Sequence, residues 1–278
     1  LCVDVYFNNG NIDVSKIENA ITNKTVAISP VDYSGNPAKM DEINKIAQKF
    51  GLYVVHDAAQ SIGSLYKGKK TGSLADVSVI SFHGTKNLTT GEGGALITND
   101  DKIAERALII REKGTDKQSF LVDDIDRGFY QYVDIGGSYV ASNLLGAFGL
   151  SQLKKIDWMN AEREKIANYF KHNLREIPEI SFIENTENTK TNWHLFGLLV
   201  PPEHRYWIMD ALRAEGIMAN VHYTPLHRNK FYQGLANDEE MAGSMVFFNR
   251  LLRLTIYPSL TKHEQECIVT AVKKIFNS

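Results

Sequence analysis

The chain has 278 residues, 43% hydrophobic and 23% charged, and a formal net charge of −2. That length can bury a sizeable core and hold one large domain plus a smaller one. The near-neutral balance lacks the footprint of a nucleic-acid binder, two cysteines make no disulfide framework, and no apolar run reaches the length of a membrane span. These features point to a cytoplasmic protein with no nucleic-acid or membrane partner, and leave an anionic small molecule open as substrate. The start, Leu1-Cys2-Val3-Asp4, has neither an initiator Met nor a signal-peptide pattern. It reads as the inside of a strand, which predicts a further N-terminal part ahead of it.

In chain order, Val26–Val31 is a short apolar strand followed by the turn cluster Asp32–Pro37. Met40, Ile43, Ile46, Ala47 and Phe50 mark one face of a helix that Gly51 ends. Leu52–Val55 is the next strand, so residues 26–55 form a right-handed βαβ unit of a largely parallel sheet. Val77–Phe82 and Ala95–Thr98 are further strands. Beyond residue 101 helices dominate, with apolar faces at Ile103, Ala107 and Ile110 and at Leu145, Phe148, Leu153 and Ile156. A long helix over 158–177, stopped by Pro178, bridges to a second domain. There, strands at 180–183, 194–200 and 217–222 interleave with helices near 203–214, 239–252 and 262–275, an α+β pattern.

The chemistry concentrates at two strand ends. Asp57 closes one apolar strand, and Lys86 lies 29 residues later, past the strand ending in Ser81-Phe82 and before the cluster Gly91-Glu92-Gly93-Gly94. Ligands of open α/β sheets sit beyond the carboxyl ends of strands, where both residues fall. An amine able to form a Schiff base, with a carboxylate to keep a pyridine nitrogen protonated, is what a pyridoxal phosphate (PLP) site needs. Each residue also has a plainer reading. Asp57 serves equally as a helix cap or turn residue, Gln60 as a surface polar group, and Ser81 as a strand-end hydroxyl satisfying backbone. His83 is as readily a structural histidine as a proton shuttle. His222 and His227 stand next to aromatics with no accompanying set of ligand spacing, so a packing or substrate-facing role is favoured over metal.

Taken together, Asp57-Ala58-Ala59-Gln60, Ser81-Phe82-His83 with Lys86-Asn87, and Gly91–Gly94 resemble the cofactor motifs of the sugar-nucleotide aminotransferases, a branch of the fold type I PLP enzymes. Ile110–Thr115, Val133–Tyr139, Val221–His227 and Arg250–Leu254 extend the resemblance along the whole chain. It implies an α/β fold: a mostly parallel central sheet flanked by helices, plus a smaller α+β C-terminal domain, divided as 1–157 and 158–278. It implies Lys86 as the Schiff-base lysine, Asp57 as partner of the pyridinium, Gln60 at the ring hydroxyl, Ser81 at the phosphate and His222 toward substrate, with no metal. The implied reaction moves an amino group from glutamate to a nucleotide-linked 4-keto-6-deoxy sugar, dTDP-4-keto-6-deoxyglucose, in a homodimer whose active site lies at the subunit interface. Related dehydratases carry histidine where Lys86 stands, so lysine argues for transamination.

The chain also departs from the family pattern. His56 stands where Glu is usual, Asp32 where His is frequent, and Val140 where many members place an Asn toward the partner's cofactor phosphate. The phosphate-gripping turn and the ring-stacking aromatic of the family belong to the expected N-terminal part. Two alternatives remain: the same chemistry at another sugar carbon or on a UDP sugar, and a non-catalytic truncated relative. The retained Asp57, Gln60, Ser81 and Lys86 argue against the second.

Overall fold

The computed structural model describes residues 1–117 and 130–277. Helix α1 (Val14–Ala20) starts where the Asp13 carboxylate accepts the Ser15 N–H. Strand β1 (Ala27–Ile28) leads through a turn at 32–36 into α2 (Met40–Phe50). Of the face its sequence pattern predicts, that helix buries Met40, Ile43 and Ala47 and leaves Ile46 half-buried and Phe50 exposed; it ends where Gly51 adopts a left-handed conformation at φ 65°. Strand β2 (Tyr53–Asp57) follows, then the short hairpin β3 (Leu65–Tyr66) and β4 (Lys69–Lys70), β5 (Val77–Ser81) and β6 (Gly94–Ile97).

The main sheet has the order β1-β2-β5-β6. The first three strands are parallel, as the βαβ reading requires. β6 runs antiparallel to β5, because residues 82–93 turn straight back with no crossover helix. The fold is thus α/β with a parallel-containing central sheet, and Asp57 and Ser81 are the last residues of two neighbouring parallel strands.

Helices α3 (Asp101–Arg111) and α4 (Asn143–Leu153) come next. Neither buries a residue fully: of the apolar faces expected there, Ile103, Ala107 and Leu145 are half-buried, and Ile110, Phe148 and Leu153 are exposed. Ile156 is buried, but as the first residue of α5 (Ile156–Leu174). That helix begins earlier than the expected 158 and stops before Pro178, since no proline is needed where the backbone already turns at 175–178.

The C-terminal part contains β7 (Ser181–Phe182), β8 (Thr189–Lys190), β9 (Phe196–Leu199), α6 (Arg205–Ala214), α7 (Ala242–Arg250), β10 (Leu251–Leu254) and α8 (Lys262–Phe276). The antiparallel sheet β10-β9-β7 packs with α5, α6 and α8 around Phe170, Leu174, Phe196, Leu198, Leu212, Leu252 and Leu254. Each such side chain stabilises the fold by about 1.5–3 kcal/mol through burial. A separate cluster of Val14, Ile17, Ile28, Met40, Ile43 and Val54 serves the N-terminal part. The small sheet β4-β3-β8 ties the two together.

Three expectations are corrected. The helix near 239–252 ends at Arg250, because the next four residues pair in full with β9, and tertiary pairing outweighs a helical pattern. The strand at 217–222 shrinks to one bridge between Asn220 and Arg253. Leu1–Asp4 is not a strand; Val5 makes a lone bridge with Ile12. Among the described residues no helix is long and apolar enough to cross a membrane.

Candidate active site

Asp57 ends β2, and Lys86 lies in the loop that follows β5, within electrostatic reach of it. The Lys86 amine is half-buried, and burial lowers its pKa below the ordinary lysine value, while the negative charge of Asp57 partly offsets that shift. The Asp57 Oδ1 accepts the Ala59 N–H at 3.0 Å, so this carboxylate is a turn residue and also faces the lysine. The turn reading of Asp57 holds through that oxygen.

Gln60 is not on a helix, because residues 58–63 form turns. It is buried all the same, and its Oε1 accepts the Ser34 N–H at 2.8 Å. That bond orients the amide and leaves the NH2 end as the donor. Ser34 sits at φ 59° and is followed by Gly35 at φ 86°. A Cβ on Gly35 would lie 1.8 Å from Asn192 Oδ1 and 3.0 Å from the Gln60 carbonyl, so only glycine lets this turn approach so closely. Tyr33 of the same turn donates its hydroxyl to the His222 carbonyl.

Ser81 Oγ accepts the His83 N–H at 3.2 Å, which matches the strand-end reading and leaves its own proton free to donate elsewhere. His83 is exposed, with Nδ1 2.9 Å from Thr85 Oγ1; it shapes the loop and is not a buried histidine. The loop closes through Gly91 and Gly93, at φ 87° and 137°.

The side chain that anchors the lysine loop is Asn87. Its Nδ2 donates to Asn160 Oδ1 at 2.9 Å and to the Asn192 carbonyl at 3.0 Å, and its Oδ1 lies 3.0 Å from His194 Nδ1. An amide oxygen only accepts, so His194 carries its proton on Nδ1. Burial, helped by the charges of Lys86, Arg163, His222 and Arg253, pushes His194 down to about 3, and the ring is neutral. Asn160 comes from α5 and His194 from the approach to β9, so the C-terminal part holds the lysine loop in place.

His222 is also within electrostatic reach of Lys86. Its Nδ1 accepts the Arg253 Nε–H at 3.0 Å, and burial together with the Arg253 and Lys86 charges lowers its pKa. Arg253 is set by β10, the strand that sequence periodicity misses. His227 lies apart, its Nε2 3.0 Å from Asp238 Oδ1. Among the described residues no group of three or more His, Cys, Asp or Glu could hold a metal ion.

Lys86 thus lies within electrostatic reach of both Asp57 and His222, Gln60 is buried against Ser34, and Ser81 ends the strand that leads to the lysine loop. Sequence reasoning passed over Asn160 and Tyr33 entirely. The adjacency of Asn87 to Lys86 and the run Asn192-Trp193-His194 were the available signals, but their meeting is a tertiary event. The two departures at His56 and Asp32 turn out to face each other, with Nε2 to Oδ2 at 2.9 Å.

The profile of the DegT/DnrJ/EryC1/StrS aminotransferase family matches residues 1–273. An uncharacterised protein of Methanocaldococcus jannaschii is 35% identical over 280 aligned residues, covering 98% of this chain and 72% of its own length. The UDP-4-amino-4,6-dideoxy-N-acetyl-beta-L-altrosamine transaminase of Campylobacter jejuni is 31% identical, covering 91% of this chain and 67% of its own. The structure of Helicobacter pylori PseC, an aminotransferase involved in the biosynthesis of pseudoaminic acid, superimposes with a TM-score of 0.90 at 29% identity, over 100% of this chain and 73% of that one. This chain belongs to the DegT/DnrJ/EryC1/StrS aminotransferase family, the PLP-dependent sugar aminotransferases.

Proposed function

We propose that this protein moves an amino group from glutamate to a nucleotide-linked 4-keto-6-deoxy sugar, with Lys86, Asp57, Gln60 and Ser81 holding PLP. The observation that carries the reading is the half-buried Lys86 amine, its pKa lowered, facing the Asp57 carboxylate across two parallel strand ends. The donor set fits the cofactor: an amine, a carboxylate for a pyridinium, an amide NH2 oriented by Ser34 and a hydroxyl at the next strand end. When bound, PLP supplies the carbonyl that takes up the amino group and a ring that withdraws electrons.

The residues of the chain do the rest. With PLP bound, the Asp57 carboxylate would hold a proton at the ring nitrogen, and the Gln60 NH2 would donate to the ring hydroxyl. Lys86 Nζ, neutral more readily than an ordinary lysine, withdraws a proton and returns it, acting first as base and then as acid. Arg253, held against His222, supplies a positive charge that favours an anionic substrate. The sugar we infer is dTDP-4-keto-6-deoxyglucose, since Ile110–Thr115, Val133–Tyr139, Val221–His227 and Arg250–Leu254 resemble dTDP-4-amino-4,6-dideoxygalactose transaminase. A UDP sugar is the second reading, favoured by the likeness to the UDP-sugar transaminase of Campylobacter jejuni. We also place the protein in the cytoplasm as a homodimer with its site at the subunit interface, and its domain division at 157/158, on the ground of two separate hydrophobic clusters.

Borohydride reduction in the presence of PLP, followed by peptide mapping, tests the site: the pyridoxyl group is expected on Lys86, and labelling of another lysine overturns the assignment. A panel of dTDP- and UDP-linked keto sugars offered to the glutamate-treated protein tests the substrate. Only the true acceptor regenerates the PLP absorbance.

A further inference from the structure

Successive residues of a strand point to opposite faces, so His56 lies behind the face that carries Asp57. Both His56 and Asp32 are 0% exposed, and the proposed chemistry uses neither. The His56 Nδ1 is 3.1 Å from the Thr71 carbonyl, which only accepts, so Nδ1 carries a proton. On the far side of the ring Nε2 approaches Asp32 Oδ2 to 2.9 Å, yet outside the geometry of a hydrogen bond. Asp32 is surrounded by donors: its Oδ1 accepts the Ala38 N–H at 2.9 Å and its Oδ2 the Ser61 hydroxyl at 2.6 Å. Both oxygens of Asp32 are thus taken up by donors, and the edge of the His56 ring lies against the second of them. The groups that face His56 are Asp32 from the turn after β1, the Thr71 carbonyl from the turn at 71–73 and Ser78 Oγ, 3.5 Å away on β5. Among the described residues Asp32 is the one charged group in contact with it.

The pair also occupies a junction. The Asp32 N–H donates to the Asp57 carbonyl and the Asp57 N–H to the Pro30 carbonyl, so backbone ties run beside the side-chain contact. From Asp32 the turn continues to Tyr33, which reaches His222, and to Ser34, which orients Gln60. We propose that the buried contact between His56 and Asp32 positions Asp57 and Gln60 against the cofactor. This rests on the reading of the site as a PLP site. His56 is a positioning residue: it touches neither cofactor nor substrate, and acts by fixing the end of β2 to the turn at 32–36. Truncating either side chain leaves polar atoms of the other buried without that neighbour, which makes each member dependent on the other.

One comparison on the full chain tests this. PLP affinity is measured for His56→Gln, Asp32→Asn and the reciprocal variant carrying His56→Asp with Asp32→His, each at a temperature where circular dichroism shows it folded. The single changes are expected to weaken binding about tenfold or more, and the reciprocal variant to recover most of that loss. Single variants that fold and bind PLP like the wild type, or a folded reciprocal variant no better than they are, overturn the positioning role. If the wild-type chain takes up no PLP, the functional reading falls with the positioning role, whereas wild-type uptake matched by the single variants refutes the positioning role alone.

Discussion

The two walls of the candidate site are built in opposite ways. The wall carrying Asp57 and Gln60 is buried and closed by its own local contacts: Ser34 holds Gln60, Ala59 holds Asp57, and His56 and Asp32 lock the strand end from behind. The wall carrying Lys86 is a loop exposed at 83–85 and at its glycine end but buried at Asn87 and Leu88, and its support reaches across to the C-terminal part through Asn87. The difference follows the work of each wall. In the proposed function Asp57 and Gln60 keep one orientation toward a ring, whereas the Lys86 amine delivers a proton and takes it back. A loop pinned by the residue next to Lys86 lets the side chain move while its Cα stays fixed.

Lys86→Ala removes the moving part and is expected to have the largest effect, a loss of amino transfer from glutamate of about 10⁴-fold or more. Stopped-flow absorbance of the PLP form checks it; a variant within tenfold of wild type would sink the assignment. Asp57→Asn strikes the fixed wall and is expected to cost about 10²–10³-fold. It also shifts the lysine. The Asp57 charge favours the ammonium form of Lys86, so its removal lowers the pH at which half of the amine is neutral. A pH profile of PLP uptake whose midpoint rises instead would contradict the contact between the two walls.

Asn87→Ala cuts the support of the lysine loop. It strands the His194 Nδ1–H and removes the donor to Asn160 and Asn192. The expected loss of stability is about 2–3 kcal/mol, the penalty for buried groups left without partners, read from urea unfolding. Amino transfer is expected to fall with it under conditions where the variant stays folded. The smallest effect comes from pH. His194 titrates at about 3 in the folded chain against 6.5 as its ordinary value. The unfolded chain therefore binds the extra proton first, and stability contributed by this group is lost as pH falls below 6.5. Between pH 6.5 and pH 5 that amounts to about 2 kcal/mol. In His194→Gln the slope of stability against pH is expected to flatten over this window; an unchanged slope would assign the effect to other groups.

Part of this was readable along the chain because the signals are local. The Met40–Phe50 face with Gly51 behind it, the apolar runs of β2 and β5, and the motifs around Asp57 and Lys86 are short-range patterns, and periodicity and turn chemistry decide them. The position of both residues at strand ends followed from the same patterns. β10 was misread as the end of a helix, because its strand character comes from pairing with β9 and not from its own sequence. The anchor of the lysine loop was not readable at all: Asn87, Asn160, Asn192 and His194 are scattered over more than a hundred positions.

By itself, then, the sequence determined the chemical identity of the site, an amine and a carboxylate at neighbouring strand ends with an amide and a hydroxyl beside them. Only the tertiary structure decided how those groups are held. It showed that one carboxylate oxygen of Asp57 is spent on a turn, that Gln60 presents its NH2 end, that burial makes the Lys86 amine easier to deprotonate, and that His56 and Asp32 are each other's partners. The physical reason is range. Propensity and periodicity act within a few residues, whereas desolvation, charge pairing and hydrogen-bond satisfaction depend on which distant segments the fold brings into contact.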